Sequence, residues 1–248
     1  MKGLLPIYKR ELLSLFVTPV AWVVAAAFLF LQGFYFFLLV ASYATTQDTI
    51  QGSGPVEAFF GQTALFYLPL VIICPVLTMR LFAEERRSGT IEALLTAPIS
   101  PAGVVLGKYL AALTTYVVMW APTGLYMVLL SRYGEIDTRV VMTGYLGTLL
   151  VGAGYLAIGT LSSALTTSQL AAAVAASGFI LVLFGVGFGE FFLDAGPART
   201  MASHVSVWAM MNDLSRGLID SRRLVFWGSM TLVPLFVTVR TVESWRWG

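Results

Sequence analysis

Arg80, Glu84, Glu85, Arg86, Arg87 and Glu92 crowd six charges of both signs into one short stretch of a chain that is otherwise poor in charge. A mixture of this kind suits a specific polar interface, where charges set orientation and partner choice more than raw affinity. Gly89 is expected to end the charged helix, and Thr90 with Ile91 to Leu95 predicts a second short helix that stops before Pro98. The plainer reading is a solvated loop whose arginines snorkel to a membrane surface. Three other constellations fail on spacing. Gly103, Gly107, Lys108 and Tyr109 suggest a phosphate loop, but the glycines are one position too close and Tyr109 stands where a Ser or Thr is required. Gly185, Gly187 and Gly189 lack the dinucleotide-binding spacing. Ser177, between Ala176 and Gly178, needs a base within hydrogen-bond reach to act as a nucleophile. The single histidine, His204, is expected in a loop away from it. With one histidine and one cysteine, Cys74, no metal site of the usual kind and no internal disulfide is expected. The sequence therefore predicts no catalytic, cofactor-binding or metal-binding residues, and no enzyme.

Composition dictates what must position that charged stretch. Of 248 residues, 58% are hydrophobic and 11% charged, with mean hydropathy +0.82. A soluble domain is about 25% charged, and a water-soluble fold of this length could not hide so much apolar surface. Lipid removes that constraint. A crossing helix needs about 20 apolar residues, and six stretches qualify: 20–43, 58–79, 104–130, 140–164, 170–188 and 223–240. The first is longer than a signal-peptide core and reads as an uncleaved span. Pro69 and Pro75 fall in the second and Pro122 in the third, tolerable where neighbours satisfy the freed carbonyls. Lys108 lies near one end of the third span and is expected to snorkel to the interface. The fold predicted is all-α and polytopic, one domain over 1–248.

Two further stretches are amphipathic without spanning. Before the first span, Leu4, Leu5, Ile7, Leu12, Leu13 and Leu15 alternate with Lys9, Arg10 and Glu11. Such a basic amphipathic helix, over 1–18, lies in the interface plane. Residues 205–219 set Trp208, Met210 and Met211 beside Asp213 and Arg216, which predicts a partly inserted helical segment and no seventh span. Spans four and five are rich in small residues (Gly144, Gly147, Gly152, Gly154 and Gly159, then Ala171 to Ala173), so their faces are expected to pack closely, within the subunit or across a dimer. Six spans place both termini and the charged stretch on one side, with nine Lys and Arg against six opposite. That excess predicts cytoplasmic termini. A net charge of +2 gives no sign of nucleic acid, and no acidic residue falls deep inside a span, which argues against a proton-coupled carrier.

The run from Phe82 through Glu84, Glu85, Arg86, Arg87, Ser88, Gly89, Thr90 and Glu92 to Pro98, followed by Gly107, Lys108 and Tyr109, resembles the hallmark cytoplasmic segment of ABC-2-type transporter permeases. The tail, from Ser215 to Arg223 with the last span, resembles the gliding-motility-associated branch of that family. The resemblance implies a bacterial inner-membrane location and a type V exporter-like fold with an interfacial helix and a cytoplasmic coupling helix. It implies that Glu84, Glu85, Arg86, Arg87, Ser88, Gly89, Thr90 and Glu92 dock on a separate ABC ATPase, which binds the ATP and Mg, leaving this chain without a cofactor. The turn at 162–168 would be a second, smaller contact. A second permease copy or a paralogue would complete the path, and a membrane protein with a large extracytoplasmic domain is a further implied partner. The implied function is ATP-driven transmembrane transport; the alternative is force transmission in a gliding-type or envelope complex with nothing translocated.

Overall fold

The computed structural model describes residues 3–45, 54–61, 64–91, 99–134 and 136–245. Among them every element is helical and none is a strand. In chain order these are α1 (Leu4–Val17), α2 (Pro19–Thr45), α3 (Pro55–Gly61), α4 (Ala64–Thr78), α5 (Arg80–Ser88), α6 (Pro101–Trp120), α7 (Gly124–Leu130), α8 (Thr138–Leu165), α9 (Gln169–Phe192), α10 (Pro197–Val205), α11 (Val207–Ser215) and α12 (Ser221–Ser244). Among the described residues six helical runs are long and apolar enough to cross a membrane, the number the sequence predicts: Pro19–Ala44, Phe66–Ser88, Pro101–Leu130, Thr138–Leu165, Gln169–Phe192 and Ser221–Ser244. The second differs from the expected 58–79, because 55–61 form the separate helix α3 and the run continues through α5.

Their burial divides them. In the apolar windows of the second, third and fourth runs, 72%, 61% and 56% of residues are buried, against 22% in the first and fifth and 28% in the last. The second to fourth runs therefore form the core, with α12 and α9 laid against α8 and α1 against α6. The outer helices turn Val23, Phe30, Phe34 and Phe37 of α2, Leu170, Val174 and Val182 of α9, and Val225, Leu232 and Phe236 of α12 outward. Water would not tolerate so continuous an apolar surface, whereas lipid solvates it.

Backbone chemistry explains the breaks. The third run passes through a 3-10 turn at Ala121–Thr123, where Pro122 has no N–H to continue the ladder. In α4, Pro75 leaves the Val71 carbonyl without its helical donor, and the Ser177 hydroxyl of α9 donates to that carbonyl at 3.3 Å. Ser177 is thus occupied with backbone repair, and His204 Nδ1 lies 2.6 Å from the Thr200 carbonyl of its own helix.

The glycines of α8 settle which surface its small residues serve. A Cβ on Gly144 would meet Phe60, on Gly147 Met211 and Leu214, on Gly152 Tyr116, and on Gly159 Thr78, each at 2.0–2.7 Å. That face is consumed inside the subunit. On α9, Ala172 and Ala176 are buried while Ala171, Ala175 and Gly178 stay exposed, so only part of this helix packs inward.

At the face far from the termini, α3 and α11 meet where Gly61 abuts Ser215. Tyr35 Oη donates to the Ala58 carbonyl at 2.9 Å, Tyr67 Oη to that of Phe60, and Thr143 Oγ1 to that of Leu214 at 2.6 Å. An aromatic cluster closes around α3, including Tyr35 on Phe59 (ring centroids 5.6 Å apart) and Phe36 stacked on Tyr126 at 4.6 Å.

Candidate functional site

The charged stretch is a continuation of a span. Met79, between α4 and α5, keeps a right-handed helical backbone (φ −53°, ψ −31°), so the two helices form one run from Phe66 to Ser88. Any displacement of α5 is therefore carried directly into a core helix. Gly89 ends α5 with φ +72°, a left-handed conformation that favours glycine. Ser88 Oγ donates to the Glu84 carbonyl at 2.9 Å and sits 2.9 Å from Thr90 Oγ1. Residues 92–98, including Glu92 and nearly all of the second short helix expected from the sequence, lie outside the described residues.

Helical periodicity splits the predicted docking residues into two sets. Glu84, Arg87, Ser88, Gly89 and Thr90 are exposed. The first three share one face at i, i+3 and i+4 spacing. Glu85 and Arg86 are half-buried and turned inward, in line with Leu81 and Phe82 one turn earlier.

Glu85 enters a four-member ionic cluster. Its Oε1 accepts from Arg10 Nη2 at 2.7 Å and its Oε2 pairs with Lys108 Nζ at 3.0 Å. Glu11 Oε1 receives Arg10 at 2.7 Å and Lys108 at 3.0 Å. Lys108 also donates to the Leu81 carbonyl at 2.6 Å and lies over the Phe82 ring. The cluster corrects the snorkelling expectation. Lys108 is 1% exposed, because two carboxylates and a carbonyl supply inside the protein what the interface would have supplied outside. A buried ammonium costs several kcal/mol unless so paired. Burial alone would raise the Glu11 carboxyl, but Lys108 and Arg10 outweigh it and hold it below the usual carboxylate range.

Further contacts tie α1 to this cluster. Arg80 donates to Thr18 Oγ1 at 2.9 Å and to the Ser14 carbonyl at 3.3 Å, at the end of α1. Tyr8 Oη lies 3.0 Å from Thr114 Oγ1 of α6, and Gly107 lets α6 approach Ile7 and the Leu4 carbonyl.

Arg86 does the same for the other side of α5. It donates to the carbonyls of Ala164 (2.8 Å) and Thr166 (3.4 Å) at the end of α8, where a cation complements the helix dipole. Its guanidinium also lies 4.9 Å from the centre of the Trp245 ring, just past α12. Ser163 accepts from the Phe82 and Ala83 amides at 3.0 and 3.1 Å and donates to the Met79 carbonyl at 2.9 Å. The short uncharged turn at 162–168 is thus fastened to α5 by backbone groups.

The sequence did not single out Arg10, Glu11 or Trp245 for this site, whereas Ser163 falls in the 162–168 turn that the resemblance implies as a second contact. Lys108 carried a signal, since a lysine about two turns inside an apolar helix needs a partner; Trp245 carried none. Among the described residues no group of three or more His, Cys, Asp or Glu side chains could hold a metal. The arrangement joins one exposed helical face to α1, α6, α8 and the end of α12 by hydrogen bonds, ion pairs and the Trp245 ring contact.

The comparisons agree with this architecture. The profile of the family described as "ABC-2 family transporter protein" matches residues 37–215, which include α5, its partners on α6 and α8, and the far-face helices. No curated protein matches the chain. With nearly three quarters of its length covered and six membrane-length helices around a common core, the chain belongs to the ABC-2 family of transporter proteins and is a multi-pass membrane component of an ABC transporter.

Proposed function

We propose that this chain is the non-catalytic membrane-spanning subunit through which a separate ABC ATPase drives transport, and that α5 is the coupling element. The observation that carries the proposal is the division of α5. Glu84, Arg87, Ser88, Gly89 and Thr90 stay exposed, while Glu85 and Arg86 are spent on α1, α6, α8 and Trp245. A docking face needs unused charge, and a transmitter needs rigid attachment; one helix supplies both. Closure of two ATPase subunits around ATP and Mg would push this face, and the packed helices would move as bodies. Glu92 would extend the docking surface past Gly89.

The excess of Lys and Arg on the side of the termini supports placing that face in the cytoplasm, and the family resemblance supports an inner-membrane location. The exposed flanks of α2 and α9 leave room for a second permease copy. The Ser215 to Arg223 tail supports placement in the gliding-motility branch, where the same coupling would transmit force to an extracytoplasmic partner.

Charge reversal tests the docking face directly. Glu84→Lys with Arg87→Glu should abolish co-purification of the co-expressed ATPase and ATP-driven activity while leaving the melting temperature unchanged. Retention of both the ATPase and the activity would sink the assignment.

A further inference from the structure

The ionic cluster and α5 leave one polar cavity unexplained, at the face far from the termini. Its volume is about 260 Å³, and Glu190, Phe191, Trp208, Asn212, Asp213 and Arg223 line it. Three elements build it: the end of α9, the middle of α11 and the start of α12. Arg223 Nη1 is committed to Asp213 Oδ2 at 2.8 Å. Glu190 has no such partner. Its Oε2 is shielded from solvent and receives no hydrogen bond among the described residues. Nor does Glu190 form an ion pair among them. Two carboxylates of the lining thus share the cavity with one guanidinium, and that guanidinium is already engaged by Asp213 and, at 4.0 Å, by Asp220.

A shielded carboxylate oxygen without a donor is costly, and native structures leave few. Phe191 and Trp208 meet edge to face at 6.1 Å beside it, and aromatic walls favour a cation further. Asn212 can add an amide acceptor, which rewards a ligand bearing N–H groups over a fully methylated one. Outside the cavity, Phe191, Phe192 and Leu193 are 55%, 84% and 43% exposed, an apolar rim against which acyl chains would lie.

We infer that this cavity binds a primary ammonium group, and that the headgroup of an aminophospholipid in the far leaflet supplies it. The inference stands on the cavity alone and does not require α5 to be the coupling element.

Native mass spectrometry of the full-length chain released from vesicles of phosphatidylethanolamine, phosphatidylcholine and phosphatidylglycerol in equal parts reads the preference. The wild type should retain phosphatidylethanolamine about tenfold over the other two, the scale of one charge-assisted hydrogen bond. Glu190→Gln, nearly isosteric, should erase that preference, and Phe191→Leu should weaken it. Should Glu190→Gln fail to fold, the choice between phosphatidylethanolamine and phosphatidylcholine on the wild type still decides. Displacement of bound lipid by ethanolamine in solution would support the ammonium site with a soluble source. Lipid preference that resists ethanolamine would support the lipid source. Equal retention of all three lipids by the wild type, with ethanolamine inert, would overturn the inference.

Discussion

Lys108 concentrates the residue-scale physics, because it is a full charge held at 1% exposure by Glu11, Glu85 and the Leu81 carbonyl. Removing one member of such a set leaves the others buried and unpaired. Lys108→Met should therefore cost about 3–5 kcal/mol of stability. The triple change Lys108→Met, Glu11→Gln, Glu85→Gln should cost less than that single one, since it removes the uncompensated charge as well. Thermal or denaturant unfolding of the purified chain reads the non-additivity; strictly additive losses would show that these three groups do not act as a unit. Glu11 adds a pH test. Its carboxyl is held below the ordinary value of 4.5, so its contribution is complete above that value and is lost as the pH falls through the lower, folded-state value. The melting temperature should hold steady down to about pH 4.5 on this account and then drop, and Glu11→Gln should flatten the drop. The charges themselves were legible in the sequence. Their pairing was not, because Arg10 and Glu11 are about 75 and 97 positions from their partners and no local pattern links them.

Between elements, close approach is governed by missing side chains. Gly159 sits where a Cβ would lie 2.0 Å from Thr78 Oγ1, a buried hydroxyl on the core helix α4. Gly178 and Gly185 on α9 face open space. Gly159→Ala should destabilise by about 1–3 kcal/mol through overpacking. Gly178→Ala should be neutral or stabilise by up to about 1 kcal/mol, because alanine restricts the unfolded chain and suits a helix better. Matching effects at the two positions, measured as shifts in melting temperature, would contradict the packing described for α8. Helix periods and glycine content announced both helices as close-packing ones. Which of them would exhaust its small face inside the subunit depended on the side chains opposite, Phe60, Tyr116, Met211 and Thr78, and these come from four different elements. Ser177 is a similar case. A serine between Ala176 and Gly178 invited a test as a nucleophile, and its neighbour in space, the Val71 carbonyl freed by Pro75, gives it a structural task.

For the whole molecule, the arrangement to be tested is the sidedness of the two faces. Thr90 lies on the face of the termini, and Asp194 follows α9 at the opposite one. Cysteines placed singly at these exposed positions should react oppositely with a membrane-impermeant maleimide in intact cells: Asp194→Cys at once, Thr90→Cys only after permeabilisation. Cys74 is fully buried and can stay in place as a silent background. The reverse pattern would invert the orientation and move the docking face away from any cytoplasmic ATPase. Number, length and composition of the spans made the six-helix plan legible, since a bilayer demands long apolar helices whatever their order.

By itself the sequence determined the class of molecule: too apolar for water, divided into six spans, with one dense mixture of charges at a glycine-terminated helix. Those are properties of local composition and period, and the chain carries them wherever it goes. Only the tertiary structure decided how the charges are used. It made α5 an extension of a core span, turned Glu84 and Arg87 outward, buried Lys108 between two carboxylates, and left Glu190 with an oxygen that receives no hydrogen bond among the described residues. Each of those outcomes depends on which distant side chain or carbonyl arrives within about 3 Å, the range in which a hydrogen bond or ion pair has its strength, and that distance is set by packing across the whole fold.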